Sequence, residues 1–430
     1  MAGLLVGALF ALLLATVPIA VSLALCTSAV FLVFYPNTAM DTMLSQAMVT
    51  SSDNFALMAI PFFMLVGSLM ERSGIASRMV DVAKLLTGDM PGGLGMSAVL
   101  ASMFFAAICG SGPATAAAIG GIMLPAMSTQ RYPAPYGGAL VAAASTIGPV
   151  IPPSIPMIMY GVTVGVSVTT LFAAGFMPGI MMGAVLMAYN YFASRRRGYR
   201  GAPNTAGLGE KLRVLSRAIP AFLMPVIVLG GIYSGIFTPT ESAVVGVVYS
   251  MLVGIFGYKV LTRSLFKEAL LEAGITSATI MILFGGATTF GRLLTIGKIP
   301  QMVTAFMTNL TDSPIVIMLL VNLALLVAGM FIDTISCIIL FAPLFVPLLL
   351  QYGYDSLYFG VIMVVNLCIG MITPPMGGNL LVAQRVSKTT FESIFGETLP
   401  MIFMLLLSLA AMIAFPSLIM WVPRVFGMID

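Results

Sequence analysis

The sequence predicts an all-α polytopic membrane protein. It is built as an inverted repeat with two re-entrant hairpins and two broken helices. Composition, the placing of the basic residues and an internal repeat together predict it. Of 430 residues, 60% are hydrophobic and 8% charged, and the mean hydropathy is +1.08. A soluble domain carries about 25% charged residues, so this chain has too few to cover a soluble surface. A cytosolic enzyme, a nucleic-acid binder and a disordered chain are excluded. The net charge of +4 is small and matters only through where the Lys and Arg lie.

Apolar segments run near 2–16, 18–35, 54–71, 93–127, 138–170, 172–194, 218–236, 242–258, 272–291, 314–349, 357–385 and 395–423. Inside a bilayer such segments must be helical unless protein covers the irregular backbone, and a crossing takes about 20 residues. The N-terminal stretch has no basic region before its apolar part, so it reads as a retained span, one bent or two separate around Pro18.

The basic residues fix orientation. Seven of the nineteen sit in one linker over 195–217: Arg195, Arg196, Arg197, Arg200, Lys211, Arg213 and Arg217, among Gly198, Gly201, Pro203 and Gly207. The positive-inside rule makes this linker cytoplasmic. Arg72, Arg78, Lys84, Arg131, Lys259, Arg263, Lys267, Arg385 and Lys388 mark further cytoplasmic stretches. The stretches 36–53, 301–313 and 350–356 hold no Lys or Arg and are placed outside. Segment 93–127 then leaves and re-enters the cytoplasm, so it is a hairpin turning at GSGPAT, 110–115. Segment 314–349 is a second hairpin from the outer face, with its tip near 331–334. Each half has five spans and one hairpin. Five is odd, so the halves are inverted.

The halves also match in sequence. ATAAAIGGIMLP at 114–125 aligns on IDTISCIILFAP at 332–343, IGPVIPP at 147–153 on IGMITPP at 369–375, and SVTTLF at 167–172 on SKTTFE at 387–392. Inverted repeats with discontinuous helices are the signature of secondary transporters, whose sites lie at the repeat interface.

The breaks carry the chemistry. STIGPVIPPSIP at 145–156 and NLCIGMITPPMGGN at 366–379 are rich in Pro and Gly. Pro removes a backbone donor and clashes with the preceding turn, which frees carbonyls inside the bilayer. A sodium ion is a natural partner for carbonyls and hydroxyls. We expect a first site at Ser111, Gly148, Ile151 and Ser154, with Thr115 nearby. A second is expected at Gly329, Gly370, Thr373 and Met376, with Asp333 nearby. Gly, Ile and Met would serve through their carbonyls. Asp333 is the only acidic residue deep in an apolar segment. Such a residue marks function by default, although Asp before Thr-Ile-Ser also fits a helix N-cap. Arg292, at the outer end of 272–291, is either a substrate contact or a snorkelling anchor. Asn379 is a substrate ligand or a cap, and Glu241 a cap in an outer turn.

Other features exclude or add little. There is no His, which removes zinc-protease and Ser-His-Asp chemistry, and one intramembrane Asp cannot make an aspartyl protease, so no enzyme is expected. Cys26, Cys109, Cys337 and Cys368 lie in apolar runs without paired spacing and read as reduced, buried residues. The 34 Met read as lipid-facing or packing residues. Segment 74–86 puts Ile75, Met79, Val82 and Leu86 on one face, as in a helix lying on the cytoplasmic surface. Its repeat mate falls near 299–310 on the opposite surface.

GSGPATAAAIGGIMLPAM, the IPP break, GMFIDTISCIILFAPLFVPL and NLCIGMITPPMGGNL resemble the large membrane (permease, M) subunit of TRAP transporters, the tripartite ATP-independent periplasmic transporters. The likeness covers essentially the whole chain and points to subunits of the sialic-acid type. It implies an elevator-type fold of the ion-transporter superfamily. It also implies sodium-driven uptake of an organic acid, sialic acid or a C4-dicarboxylate, and no organic cofactor. A periplasmic substrate-binding protein would deliver the substrate. A small four-helix membrane subunit would pack on the scaffold, here as a separate chain, in the bacterial inner membrane. The family's second sodium site matches Gly329, Gly370, Thr373 and Met376, and Asp333 keeps the expected acid. The first tip has no acidic counterpart. The implied organisation is scaffold over 1–92 and 218–312, and a transport domain over 93–194 and 313–430. A stand-alone sodium-coupled transporter or exporter of the same superfamily is the alternative.

Overall fold

A computed structural model describes residues 2–15, 17–34, 40–199, 201 and 207–429. The described residues hold helices and turns and no strand. Eight helical stretches among them are long and apolar enough to cross a membrane. Arg200 and Pro203 of the basic linker lie outside the described residues.

The first half opens with α1 (Ala2–Leu14) and α2 (Ile19–Phe34). They are two helices packed on each other, parted at Pro18, not one bent span. Next come α3 (Met40–Ser52), a 3₁₀ turn at Phe55–Met58, α4 (Ala59–Arg72) and α5 (Ile75–Thr87). The first hairpin is α6 (Gly93–Cys109) and α7 (Gly112–Thr129). The first broken helix is α8 (Ala134–Ser145) and α9 (Ile155–Val164), and α10 (Val168–Arg197) closes the half. The second half repeats the order. It has α11 (Leu208–Tyr233), α12 (Pro239–Leu252), α13 (Arg263–Ile296), α14 (Ile299–Leu310), the hairpin α15 (Pro314–Phe331) and α16 (Thr334–Gln351), the broken helix α17 (Ser356–Gly370) and α18 (Gly378–Ser387), α19 (Phe391–Ala414) and a terminal α20 (Ser417–Val425).

Several expectations are corrected. The outer stretch 36–53 contains α3, whose polar sequence gave no apolar run. The span expected over 395–423 is two helices, because Pro416 stops α19 and starts α20. The span 272–291 is the middle of the 34-residue α13, which fuses the counterparts of α3 and α4 into one rod. The basic linker is mostly helix: Arg195–Arg197 end α10, and Lys211, Arg213 and Arg217 lie on α11. In α5, Ile75, Met79 and Val82 are buried, but Leu86 is 56% exposed; the buried face closes instead with Val80 and Ala83. The hairpin register also moves. Ser111 and Asp333 stand at the N-cap position of equivalent arms, one helical turn away from the gapless match of 114–125 on 332–343. Small apolar repeats match again after one turn, which is why the sequences align both ways.

Packing divides the helices into two groups. α4 and α13 pack on each other, and α2, α3 and α12 pack on this pair. Arg72 Nη1 meets Glu272 Oε2 at 2.8 Å, tying α4 to α13. The hairpins, the broken helices, α10 and α19 form the other group. There the repeats cross over: α9 packs on α16 and α18 on α7, so the second half of each broken helix rests on the other repeat's hairpin. Arg197 Nη1 joins Glu397 Oε2 at 2.8 Å, linking α10 to α19. The Tyr136 hydroxyl donates to Asn190 Oδ1 at 2.9 Å, linking α8 to α10.

Candidate functional site

The two hairpin tips are built differently. At the first, Gly110 takes φ +62°, ends α6 and turns the chain. Ser111 is extended and starts α7, but its hydroxyl makes no capping bond. At the second, Asp333 caps α16, accepting from the Ser336 amide at 3.0 Å and from the Ser336 hydroxyl. Functional acid and helix cap were the two readings of this residue, and the cap is present. Asp333 also lines the cavity described below.

Each tip rests against the break of its own repeat. The first break runs from Thr146 to Ser154 and the second from Met371 to Gly377. Each contains a cis Pro–Pro bond, at Pro152–Pro153 and Pro374–Pro375. The Ser154 hydroxyl bonds to the Pro149 carbonyl and accepts from the Met157 amide at 3.2 Å, capping α9. Thr115 Oγ1 donates to the Ser111 carbonyl at 2.7 Å. A Cβ on Gly148 would lie 2.7 Å from Thr115 Oγ1 and 2.8 Å from the Ser111 carbonyl oxygen. Only glycine permits that approach. Ser111, Thr115 and Gly148 therefore meet, with Ile151 and Ser154 further along the same break.

The second set converges in the same way. A Cβ on Gly370 would lie 2.8 Å from the Gly329 carbonyl carbon. The Met376 amide donates to the Met330 carbonyl at 3.3 Å, and Thr373 Oγ1 donates to the Ile369 carbonyl at 2.8 Å. The donors at both places are neutral carbonyl and hydroxyl oxygens. Among the described residues no cluster of His, Cys, Asp or Glu could hold a metal ion. Such oxygen sets suit a hard cation and not a transition metal. All four cysteines are free and buried.

Between the tips lies an open cavity of about 330 Å³. One wall is Gly110–Pro113, Pro149, Ile155 and Pro156 from the first repeat; Asp333–Ile335 and Met371 come from the second. The facing wall belongs to the other helix group: Met64 on α4, and Ile275, Thr276, Thr279 and Ile280 on α13. Sequence reasoning missed the facing wall. Its signal was the hydroxyl pair Thr276 and Thr279 inside an apolar segment. Arg292 is exposed on α13 and does not line this cavity. Asn379 does not line it either; it is fully buried behind Gly112. Glu241 completes a capping box with Thr238, as expected of a cap.

The model of the tripartite ATP-independent periplasmic transporter, DctM component, matches residues 6–418. The chain belongs to this family. Similar DctM-type proteins include the sialic acid TRAP transporter large permease protein SiaM of Vibrio cholerae, 37% identical over 98% of this chain and 99% of that one. The C4-dicarboxylate large permease protein DctM of Pseudomonas aeruginosa is 39% identical over 95% of each. The isethionate permease protein DctMQ of Oleidesulfovibrio alaskensis is 41% identical over 92% of this chain, which spans only 62% of that relative. The fold is shared with the Alcanivorax borkumensis YdaH transporter at TM-score 0.64 and 15% identity, over 88% of this chain and 89% of that one. This DctM component is a multi-pass protein of the bacterial inner membrane and a transport subunit, not an enzyme.

Proposed function

We propose that this chain is the membrane pathway for sodium-driven uptake of an organic acid, by elevator-type alternating access. The three relatives above are named for acids: isethionate, sialic acid and C4-dicarboxylate. One observation carries the reading: two repeat-related breaks, each pressed on a hairpin tip, flank a single cavity whose other wall is a separate helix group. The group of α6–α10 and α15–α19 is the moving block, close to the expected transport domain over 93–194 and 313–430. The pair α4 and α13, with its neighbours, is the stationary scaffold, and α5 and α14 are its arms.

Sodium binds in the first site through Ser111, Thr115, Gly148, Ile151 and Ser154. In the second it binds through Gly329, Gly370, Thr373 and Met376, with Asp333 beside it. When bound, the ion supplies positive charge that the cavity wall otherwise lacks. A periplasmic substrate-binding protein delivers the acid, and a small membrane subunit packs on the scaffold. The test is uptake of labelled acids into proteoliposomes with the small subunit and binding protein, with and without an inward sodium gradient. Uptake that needs the gradient supports the reading. Uptake at equal rate without sodium overturns it.

A further inference from the structure

We propose that Asn190 is a positioning residue for transport, which holds two chain crossings between block and scaffold together at one cytoplasmic pivot. The proposal rests on the elevator reading above and adds the point about which the block turns.

The chain passes from the arm α5 to the first hairpin over 88–92, and from the block toward α11 just after α10. The two passages touch. The Gly92 amide donates to the Tyr199 carbonyl at 3.0 Å. A Cβ on Gly201 would lie 2.2 Å from the Gly88 carbonyl oxygen, so the backbone after α10 rests on the turn itself. Asn190, on α10, fixes this junction from the block side. It is fully buried. Its Nδ2 donates to the Gly92 carbonyl at 3.0 Å, and its Oδ1 accepts from the Tyr136 hydroxyl at 2.9 Å. A Cβ on Gly95 would lie 2.2 Å from that Oδ1, so only glycine lets α6 close on the amide. The Tyr199 ring packs on Tyr132 and Tyr136, with centroids 4.8 and 5.6 Å apart. The Arg197 guanidinium lies 5.1 Å from the centre of the Tyr136 ring while it holds Glu397.

The other repeat separates this grip from ordinary packing. Tyr358 stands as far into α17 as Tyr136 does into α8, and Ile413 as far into α19 as Asn190 does into α10. The Tyr358 hydroxyl donates straight to the carbonyls of Met412 and Ile413, at 3.2 and 3.1 Å. A tyrosine therefore ties these two helices together without a polar side chain opposite it. What the amide of Asn190 adds is its bond to Gly92. Ile413 has no polar atom with which to hold the second passage. There the Thr311 carbonyl accepts from the Tyr352 hydroxyl at the end of α16, at 3.1 Å. The cytoplasmic passage is thus clamped at its hairpin end by a buried side chain. Hinges are a few residues between elements that absorb the backbone change, and the clamp leaves 88–91 to absorb it. The hairpin then travels with α10 rather than with the arm.

The experiment compares the wild type with Asn190→Leu and with the double variant Asn190→Leu, Tyr136→Phe. The single variant strands the Tyr136 hydroxyl and should lower the Tm. The double variant removes both partners, which is close to neutral for stability. It leaves the Gly92 carbonyl its bond from the Met96 amide, at 2.9 Å. Its Tm should match the wild type. Hydrogen exchange of the purified full chain should quicken over 88–96 and stay unchanged at both breaks. In proteoliposomes with the small subunit and binding protein, the probe is labelled sialic acid, succinate or isethionate, whichever the wild type carries. Maximal uptake by the double variant should fall about tenfold, the scale of one hydrogen bond. Half-saturating sodium and acid should not move, as for an interaction that matters only during the crossing. Wild-type uptake from the double variant, or half-saturations that shift along with the rate, overturns the pivot alone. A Tm that falls as far in the double variant as in the single reduces Asn190 to packing and also overturns it. Sodium-independent uptake by the wild type overturns the transport reading, and the exchange pattern then judges the clamp by itself.

Discussion

The two hairpin tips are counterparts in an inverted repeat, yet they differ in charge. The first is neutral, turns on Gly110 and leaves the start of α7 without a side-chain cap. The second puts Asp333 at the same register position and uses it to close α16. Duplication therefore set the backbone, while single substitutions at one position divided the labour. One tip is neutral, and the other brings an acid of its own.

The largest expected effect tests what the tips share, their contact with the breaks. Gly370→Ala would push a methyl group toward the Gly329 backbone. The backbone cannot swing aside as a side chain can, so a cost of about 1–3 kcal/mol in stability is expected, together with loss of uptake. Gly148→Ala meets Thr115 Oγ1 and, at 2.8 Å, the Ser111 backbone carbonyl. It should lose uptake with a comparable fall in Tm. A fall in Tm in detergent for only one of the two variants would show that the two contacts are not equivalent.

Next comes the charge itself. Asn caps a helix about as well as Asp, so Asp333→Asn keeps α16 closed and removes only the carboxylate. Uptake should fall at least about 100-fold with Tm unchanged, as expected of a functional intramembrane acid. Wild-type uptake from this variant would reduce Asp333 to a cap. Its counterpart, Ser111→Ala, should cost about tenfold, the loss expected for one hydrogen bond to a charged group.

The breaks come third. Thr373→Ala and Ser154→Ala each remove one hydroxyl from a proposed sodium shell. The sodium concentration for half-maximal uptake should rise about tenfold, the worth of one bond to a charged group. Ser154→Ala also removes the α9 cap, a further cost of about 1 kcal/mol in stability. Unchanged sodium activation in both variants would sink the two-site assignment.

The hairpins, the breaks and the inverted order were legible because Pro, Gly and basic residues mark them directly. Helix α3 was not legible, since Met40–Ser52 is too polar to register as an apolar run. The facing wall of the cavity was hidden for another reason. Thr276 and Thr279 sit in an unbroken helix, and nothing in their spacing says that α13 turns toward the hairpins. Asn379 was legible as a polar residue in a break, but not its place behind Gly112. The crossing of α18 onto α7 creates that contact, and only tertiary packing reveals it.

The smallest effect concerns the charge that lies nearest in sequence and furthest in function. Arg292 follows GGATTFG near the end of α13, where a guanidinium could meet an acid in two-pronged fashion. The structure leaves it exposed and away from the cavity wall. A long cation at that depth can reach the headgroups while its stem covers apolar surface. Arg292→Ala should therefore change uptake by less than about twofold and leave the Tm within a degree or so, as surface substitutions do. A fall of tenfold or more, with normal binding of acids to the purified permease, would place Arg292 in a step before the cavity. The division of labour between the tips would then begin with a charge outside both of them.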